Sequence, residues 1–328
     1  MITLKKSDSK NFVILNITDM QMNPSDWNEG DKAGQSVVHT ISTLVDRVKP
    51  DLITVTGDIA NGYAEFEDGD PYNSIWNSVY RNFTDFMDSF RIPWAPVSGN
   101  HDHFFKCISY FEESEYCLFD MGDEVLGRGN YVIGIQDREG KIIHGIFMLD
   151  THANFSCHKV FGEEKHMYCS LWPSQLEWYD SKITELEKLG CENSSMFMHI
   201  PIYAYRDAKS AALKDGVDSE KVSVSESYCG DCWKDEYSDS FGVWHEGICS
   251  LGNDDGVFAK LTQRGHTSHV VAGHDHIDNA VVKYDGICLI YGLKTGLTTY
   301  FEADLNGGTV LSMGSDGKIK EVRHEYVK

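Results

Sequence analysis

The chain of 328 residues carries a formal net charge of −22, an apolar fraction of 41% and only seven prolines. So acidic a surface disfavours nucleic acid and anionic membranes, because affinity for either comes largely from Lys and Arg neutralising phosphates. No run approaches the ~20 apolar residues of a membrane span, no signal-peptide pattern opens the sequence, and the apolar content suits a packed globular protein, so a cytoplasmic location is expected.

Nine scattered cysteines, an odd count, predict free thiols rather than a disulfide framework. "CGDC" at 229–232 is the one CxxC. It lacks both a second pair for zinc and the strand–helix setting of a redox motif.

After the polar "MITLKKSDSK", the run "FVILNIT" reads as a strand ending at Asp19, and a helical stretch covers about Lys32 to Val48. "DLITVTG" ends at Asp58, a second helical stretch covers about Asn73 to Phe90, and "IPWAPVSG" ends at Asn100. This alternation predicts an α/β fold whose parallel sheet has crossover helices. Polar residues close each strand, at the edge where open α/β sheets bind ligands.

"YVIGIQ" and "KIIHGIFMLD" read as adjacent strands, and "PSQLEWYDSKITELEKLG" as an amphipathic helix with Pro173 just before it and Gly190 as its stop. "SSMFMH" is a strand ending at His199. The polar segment 203–253 reads as a long loop or insertion of the kind used as lids. "GVFAKLTQ" is a short helix, and "SHVVA" a strand running into "GHDH" at 273–276. From Ala280 to Val327 short strands alternate with turns such as "YDG", "NGG" and "SDG", predicting a second, antiparallel-leaning sheet. Nothing marks a boundary or a repeat, so a single domain over 1–328 is expected.

Taken singly, an Asp or Asn after a strand is ordinarily a turn residue. Gathered on one edge of one sheet, Asp19, Asp58, Asn100, His199, His274 and His276 make a mixed nitrogen and oxygen set large enough for two metals. Asp58 has two oxygens with which to bridge them. The absence of thiolate points to Mn, Fe, Zn or Co.

Blocks of this kind, in this order, mark the calcineurin-like metallophosphoesterases: D-x-H, G-D, G-N-H-[DE], a lone His after a strand, and G-H-x-H. The chain shows "DMQ" at 19–21, "GD" at 57–58, "GNHD" at 99–102, His199 and "GHDH" at 273–276, and so resembles that family over nearly its whole length. "IPWAPVSGNHD", "GRGNYVIGI", "LWPSQLEWYD", "HIPIY" and "VVAGHDHIDN" resemble its purple-acid-phosphatase-like intracellular branch of phosphatases and phosphodiesterases.

The resemblance implies a four-layer α/β/β/α sandwich of two mixed sheets with a dinuclear metal site at the strand ends. Asp19 and His276 would bind the first metal, Asn100, His199 and His274 the second, and Asp58 both. His101 would be an acid outside the ligand set, oriented by Asp102. The ions, divalent or trivalent, would hold a hydroxide for in-line hydrolysis of a small phosphorylated substrate, a monoester or a diester, with His101 protonating the leaving oxygen or stabilising the transition-state charge.

The chain departs from the pattern at Gln21, where the family has histidine. Gln21 offers an amide oxygen as a weak, hard ligand, or leaves that position to water. Asn61 stands where the purple enzymes have a tyrosinate, so no charge-transfer colour is expected. Gln21 also motivates the alternative of a weakened member that binds a phosphorylated ligand or partner without turnover.

For the substrate's organic part, Tyr63, Tyr72, Phe104, Phe105, Tyr203, Tyr205, Trp233 and Trp244 are candidate stacking residues, although packing suits most of them. His245 with Glu246 is a candidate polar contact near the site. No protein partner is inferable.

Overall fold

The computed structural model describes the chain outside residues 7–10, 29, 63–71, 103, 153–159, 161–167 and 223–231, and describes no side chains at 72–75 and 104–107. In chain order its strands and helices are β1 (Ile2–Lys5), β2 (Phe12–Ile17), α1 (Lys32–Val48), β3 (Leu52–Thr56), α2 (Tyr72–Ser89), β4 (Trp94–Val97) and α3 (Phe104–Glu113). There follow β5 (Tyr131–Gln136), β6 (Ile142–Met148), α4 (Pro173–Lys188), β7 (Ser194–Phe197), α5 (Ala204–Ala212), α6 (Val257–Arg264), β8 (Thr267–Ala272), β9 (Val281–Tyr284), β10 (Ile287–Tyr291), β11 (Gly307–Met313) and β12 (Ile319–Tyr326).

They form a seven-stranded sheet, β1-β5-β6-β7-β8-β10-β9, and a five-stranded sheet, β12-β11-β2-β3-β4. Both sheets are mixed. β2, β3 and β4 run parallel, as do β6, β7, β8 and β10, while β11 and β12 are antiparallel to their neighbours.

Strand alternation sorts neighbouring apolar residues into different layers. Ile14, Leu52, Val97, Phe197, Val271 and Ile290 pack between the sheets. Their neighbours Leu15, Ile53 and Val55 face α1 and α2 through Val37, Ile41, Leu44 and Phe83. Met196, Val270 and Leu289 face α4, α5 and α6 through Tyr179, Ile183, Ala208 and Leu261. The expected α/β/β/α sandwich is therefore present, with strands such as β3 and β7 buried along their whole length as strands covered on both faces must be.

Local sequence sets the helix ends. Asp31 caps α1 by accepting from the Ala33 and Gly34 amides. α4 opens on Pro173 and is followed by Gly190 at φ 76°.

Four expectations fail. The strand ends do not share one sheet: those after β2, β3 and β4 belong to the five-stranded sheet, those after β7 and β8 to the seven-stranded one. The C-terminal strands do not form a sheet of their own, since β9 and β10 extend the larger sheet while β11 joins β2. The supposed loop 203–253 begins with α5, whose buried Ala204, Tyr205, Ala208 and Ala212 pack on the larger sheet. Finally, Cys169 is disulfide-bonded, which removes the cysteine argument for a reducing compartment. Cys117, Cys191, Cys249 and Cys288 are free thiols, and "CGDC" lies, but for Cys232, outside the described residues. Among the described residues no helix is long and apolar enough to cross a membrane.

Candidate metal centre

Parallel pairing lays the turns after β2 and β3 side by side. Asp19 N donates to Gly57 O at 3.1 Å and Gln21 N to Asp58 O at 2.8 Å. From the other sheet, β7 and β8 deliver His199 and His274, with Gly273 N donating to His199 O at 2.9 Å. The two edges are then stitched together by His199 Nδ1 on Thr56 O (2.7 Å) and His274 N on Asp19 Oδ2 (2.9 Å).

The motif glycines permit this approach. A Cβ on Gly99 would lie 1.9 Å from Asp58 Oδ1, and one on Gly273 would lie 2.1 Å from Thr18 Oγ1. Asp19, Gln21, Asp58 and His274 all hold positive φ, between 42° and 80°. Such backbone strain persists only where the surroundings enforce it, as at functional sites.

Two groups of donors result. Asp58, His199 and His274 offer atoms within 4.8 Å of one another, and so do Asp19, Asp58 and His276; all five residues are buried. Asp58 is common to both. Asn100 Oδ1 joins the first group, 2.9 Å from His199 Nε2. A further cluster, Cys249, His274 and Asp275, borrows its imidazole from the first group, and its carboxylate is engaged by Tyr291 OH at 2.6 Å and the Cys249 amide.

His199 and His276 are each set by the bond that the other nitrogen makes. His199 gives Nδ1 to Thr56 O and turns Nε2 inward. His276 gives Nδ1 to Tyr300 O at 3.1 Å, leaving Nε2 3.6 Å from Asp19 Oδ1. Asp19 Oδ1 is buried and makes no hydrogen bond among the described residues. A buried carboxylate oxygen without a hydrogen bond, 3.6 Å from an imidazole nitrogen, is a fit for a cation.

The electrostatics agree. Burial works against a charge on both Asp58 and His199. Their contact at 3.3 Å outweighs it, holding Asp58 well below the carboxylate range and lifting His199 to about 10. His274, buried and beside His199, is pushed down to about 3. The buried acid thus draws a positive charge to the place where the two sheets meet.

Gln21 points its amide nitrogen, not its oxygen, at the shared carboxylate. Nε2 donates to Asp58 Oδ2 at 3.0 Å and Oε1 accepts from Thr299 Oγ1. The backbone N of His101 donates to Asp58 Oδ1 at 2.9 Å. The described bonds of Asp102 secure the loops instead of the His101 ring: it accepts from Ile59 N (2.9 Å), Ala60 N (3.2 Å), Tyr80 OH (3.0 Å) and Gly99 N (2.7 Å). Burial and the nearby Asp58 charge raise its carboxyl to about 7.

Sequence reasoning missed the 294–300 segment. Lys294 lies beside Asp19, and Thr299 fixes Gln21. Tyr300 stacks on His276 at 4.1 Å and donates to Glu246 Oε2 at 3.1 Å, while staying 50% exposed. The signal was a single lysine and a Thr-Thr-Tyr run after the apolar "ICLIYGL", too generic to single out.

Glu246 does approach the site, accepting from Ile277 N at 2.9 Å, but His245 turns instead to Glu302. Tyr205 and the packed pair Trp233 and Trp244 belong to the core. Tyr203 is half-buried. Tyr63, and the side chains of Tyr72, Phe104 and Phe105, lie outside the described residues.

Residues 12–278 match the family model for calcineurin-like phosphoesterases. The chain belongs to that family. Among its relatives, a probable inactive purple acid phosphatase 14 of Arabidopsis thaliana is 26% identical over 323 residues, covering 88% of this chain and 71% of the relative. Phosphatase DCR2 of Saccharomyces cerevisiae is 23% identical over 315 residues, 88% of this chain but only 49% of the yeast protein. Among solved structures, a dimetal phosphatase from Danio rerio shares the fold at a TM-score of 0.56, with 13% identity and 94% of both chains covered. This calcineurin-like phosphoesterase thus carries two candidate donor groups that share Asp58, with the Gln21 amide beside them.

Proposed function

We propose that this calcineurin-like phosphoesterase, as one domain over 1–328, hydrolyses a small phosphoester with two metal ions. Asp19, Asp58 and His276 would hold the first ion, and Asn100, His199, His274 and Asp58 the second. The observation that carries this reading is the pair of buried donor groups with one carboxylate in common. When bound, such an ion pair acidifies a water molecule and neutralises phosphoryl oxygens.

The chain's own residues supply the remainder. Thr56 O and Tyr300 O fix the tautomers of His199 and His276. Asp102 ties the Asp58 turn to Gly99, and so holds the loop that carries Asn100 and His101. His101 is positioned by its backbone bond to Asp58, and its role is to protonate the leaving oxygen as water adds to phosphorus. Tyr300, stacked on one face and half-exposed, offers a surface for the organic part of the substrate.

A second reading is a binder without turnover. It is supported by the Gln21 amide nitrogen on Asp58 and by relatives named as probable inactive phosphatases. Metal content measured together with turnover of aryl phosphomonoesters and diesters separates the two. Metal-dependent turnover supports the hydrolase, and tight phosphate binding by a metal-loaded protein that turns over neither class supports the binder.

A further inference from the structure

The loop after β10 brings a lysine to a place where the ligand motifs provide none. Lys294 is 2% exposed. A parallel bridge pairs it with Thr18, and Thr295 N donates to Thr18 O at 3.0 Å, which sets the segment against the turn that ends β2. From there Nζ donates to the main-chain O of Asp19 at 2.5 Å, with Thr298 Oγ1 at 3.5 Å. Thr298 Oγ1 itself donates to Met20 O at 2.6 Å. The ammonium is therefore locked beneath the Asp19–Met20 turn, out of reach of a substrate arriving from solvent.

An isolated buried ammonium is costly, and it persists where opposite charge surrounds it. Burial lowers the Lys294 ammonium to about 8, with Asp19, Asp58 and Glu246 pulling the other way. Lys294 acts in return on Asp19 and, unfavourably, on His276. The fixed positive charge is lopsided because Nζ rests on the turn that carries Asp19. Asp19 belongs to one donor group only, the group in which glutamine replaces the family's histidine.

Resting on the two-metal reading, we infer that Lys294 is a resident cation that weakens the first metal position, so that the second position fills before the first. A bound ion at the first position has to share Asp19 with a buried ammonium, and repulsion between like charges is strong in a buried site. Gln21 acts in the same direction, since a carboxamide is a poorer donor than an imidazole.

The test is a calorimetric Mn²⁺ titration of metal-stripped wild type, Lys294→Met and Lys294→Arg, with thermal midpoints recorded in chelator and in excess Mn²⁺. Wild type and Lys294→Arg should show a strong and a weak step. In Lys294→Met the weak step should tighten by at least about 10-fold (~1.4 kcal/mol) while the strong step stays put. The midpoint of that variant should fall in chelator, where Asp19 and Asp58 lose their counter-charge, and recover in Mn²⁺.

An unchanged or weakened second step, with a midpoint lowered equally in both conditions, would show that Lys294 only anchors the turn. If Lys294→Met does not fold, Lys294→Gln carries the same titration. Failure of the wild type to bind Mn²⁺ at all would overturn the two-metal reading itself, and is distinguishable from either result.

Discussion

Asp58 gathers His101 N, Gln21 Nε2 and His199 around one carboxylate. The types of these residues were legible as motif blocks; their tuning was not. Gln21 is set by Thr299, 278 positions away in the sequence, and no local pattern reports a bond of that separation. Gln21→His replaces an amide nitrogen aimed at Asp58 with an imidazole able to donate a lone pair, a better ligand for Mn, Fe or Zn. Metal affinity at the first position should rise, and activity at limiting metal with it, as read by Mn²⁺ titration. Unchanged affinity would mean that residue 21 does not face the ion. His101→Ala tests a different property: turnover should fall by roughly 10²–10⁴-fold with metal content intact, and loss of metal would make His101 a ligand.

At the level of elements, the alternation from β2 to β4 and the α4 helix were readable because local periodicity and caps fix them. Sheet membership was not, because it depends on distant pairings such as Leu311 with Ile14. β1 escaped notice because four residues with every second one exposed carry little signal, and its place comes from pairing with Ile133–Gln136.

His144 on β6 shows a further cross-element tie, since its ring nitrogens meet Gly317 O at 2.7 Å and Ser195 Oγ at 2.9 Å. Burial pushes it from the ordinary 6.5 to about 3. The unfolded chain therefore takes up this proton first as pH falls, so the His144 contribution is intact above about pH 6.5 and declines toward about pH 3. In His144→Asn, the slope of unfolding free energy against pH between about 4 and 6 should flatten by up to one proton, ~1.4 kcal/mol per pH unit. Denaturant titrations at several pH values measure it, and an unchanged slope would place the pH dependence elsewhere.

Across the whole molecule, a net charge of −22 and an anionic substrate are compatible only if cations dominate locally. The fold provides for this by bringing two sheet edges together around buried acids. In the proposed function this junction holds two ions across Asp58. Anomalous scattering from crystals grown in excess Mn²⁺ would reveal them. Two peaks about 3.5–4 Å apart are expected, one beside Asp19 and His276, the other beside Asn100, His199 and His274, with Asp58 between them and both weakened in Asp58→Asn. No peak at these residues, or two peaks that survive unchanged in Asp58→Asn, would contradict the proposed function.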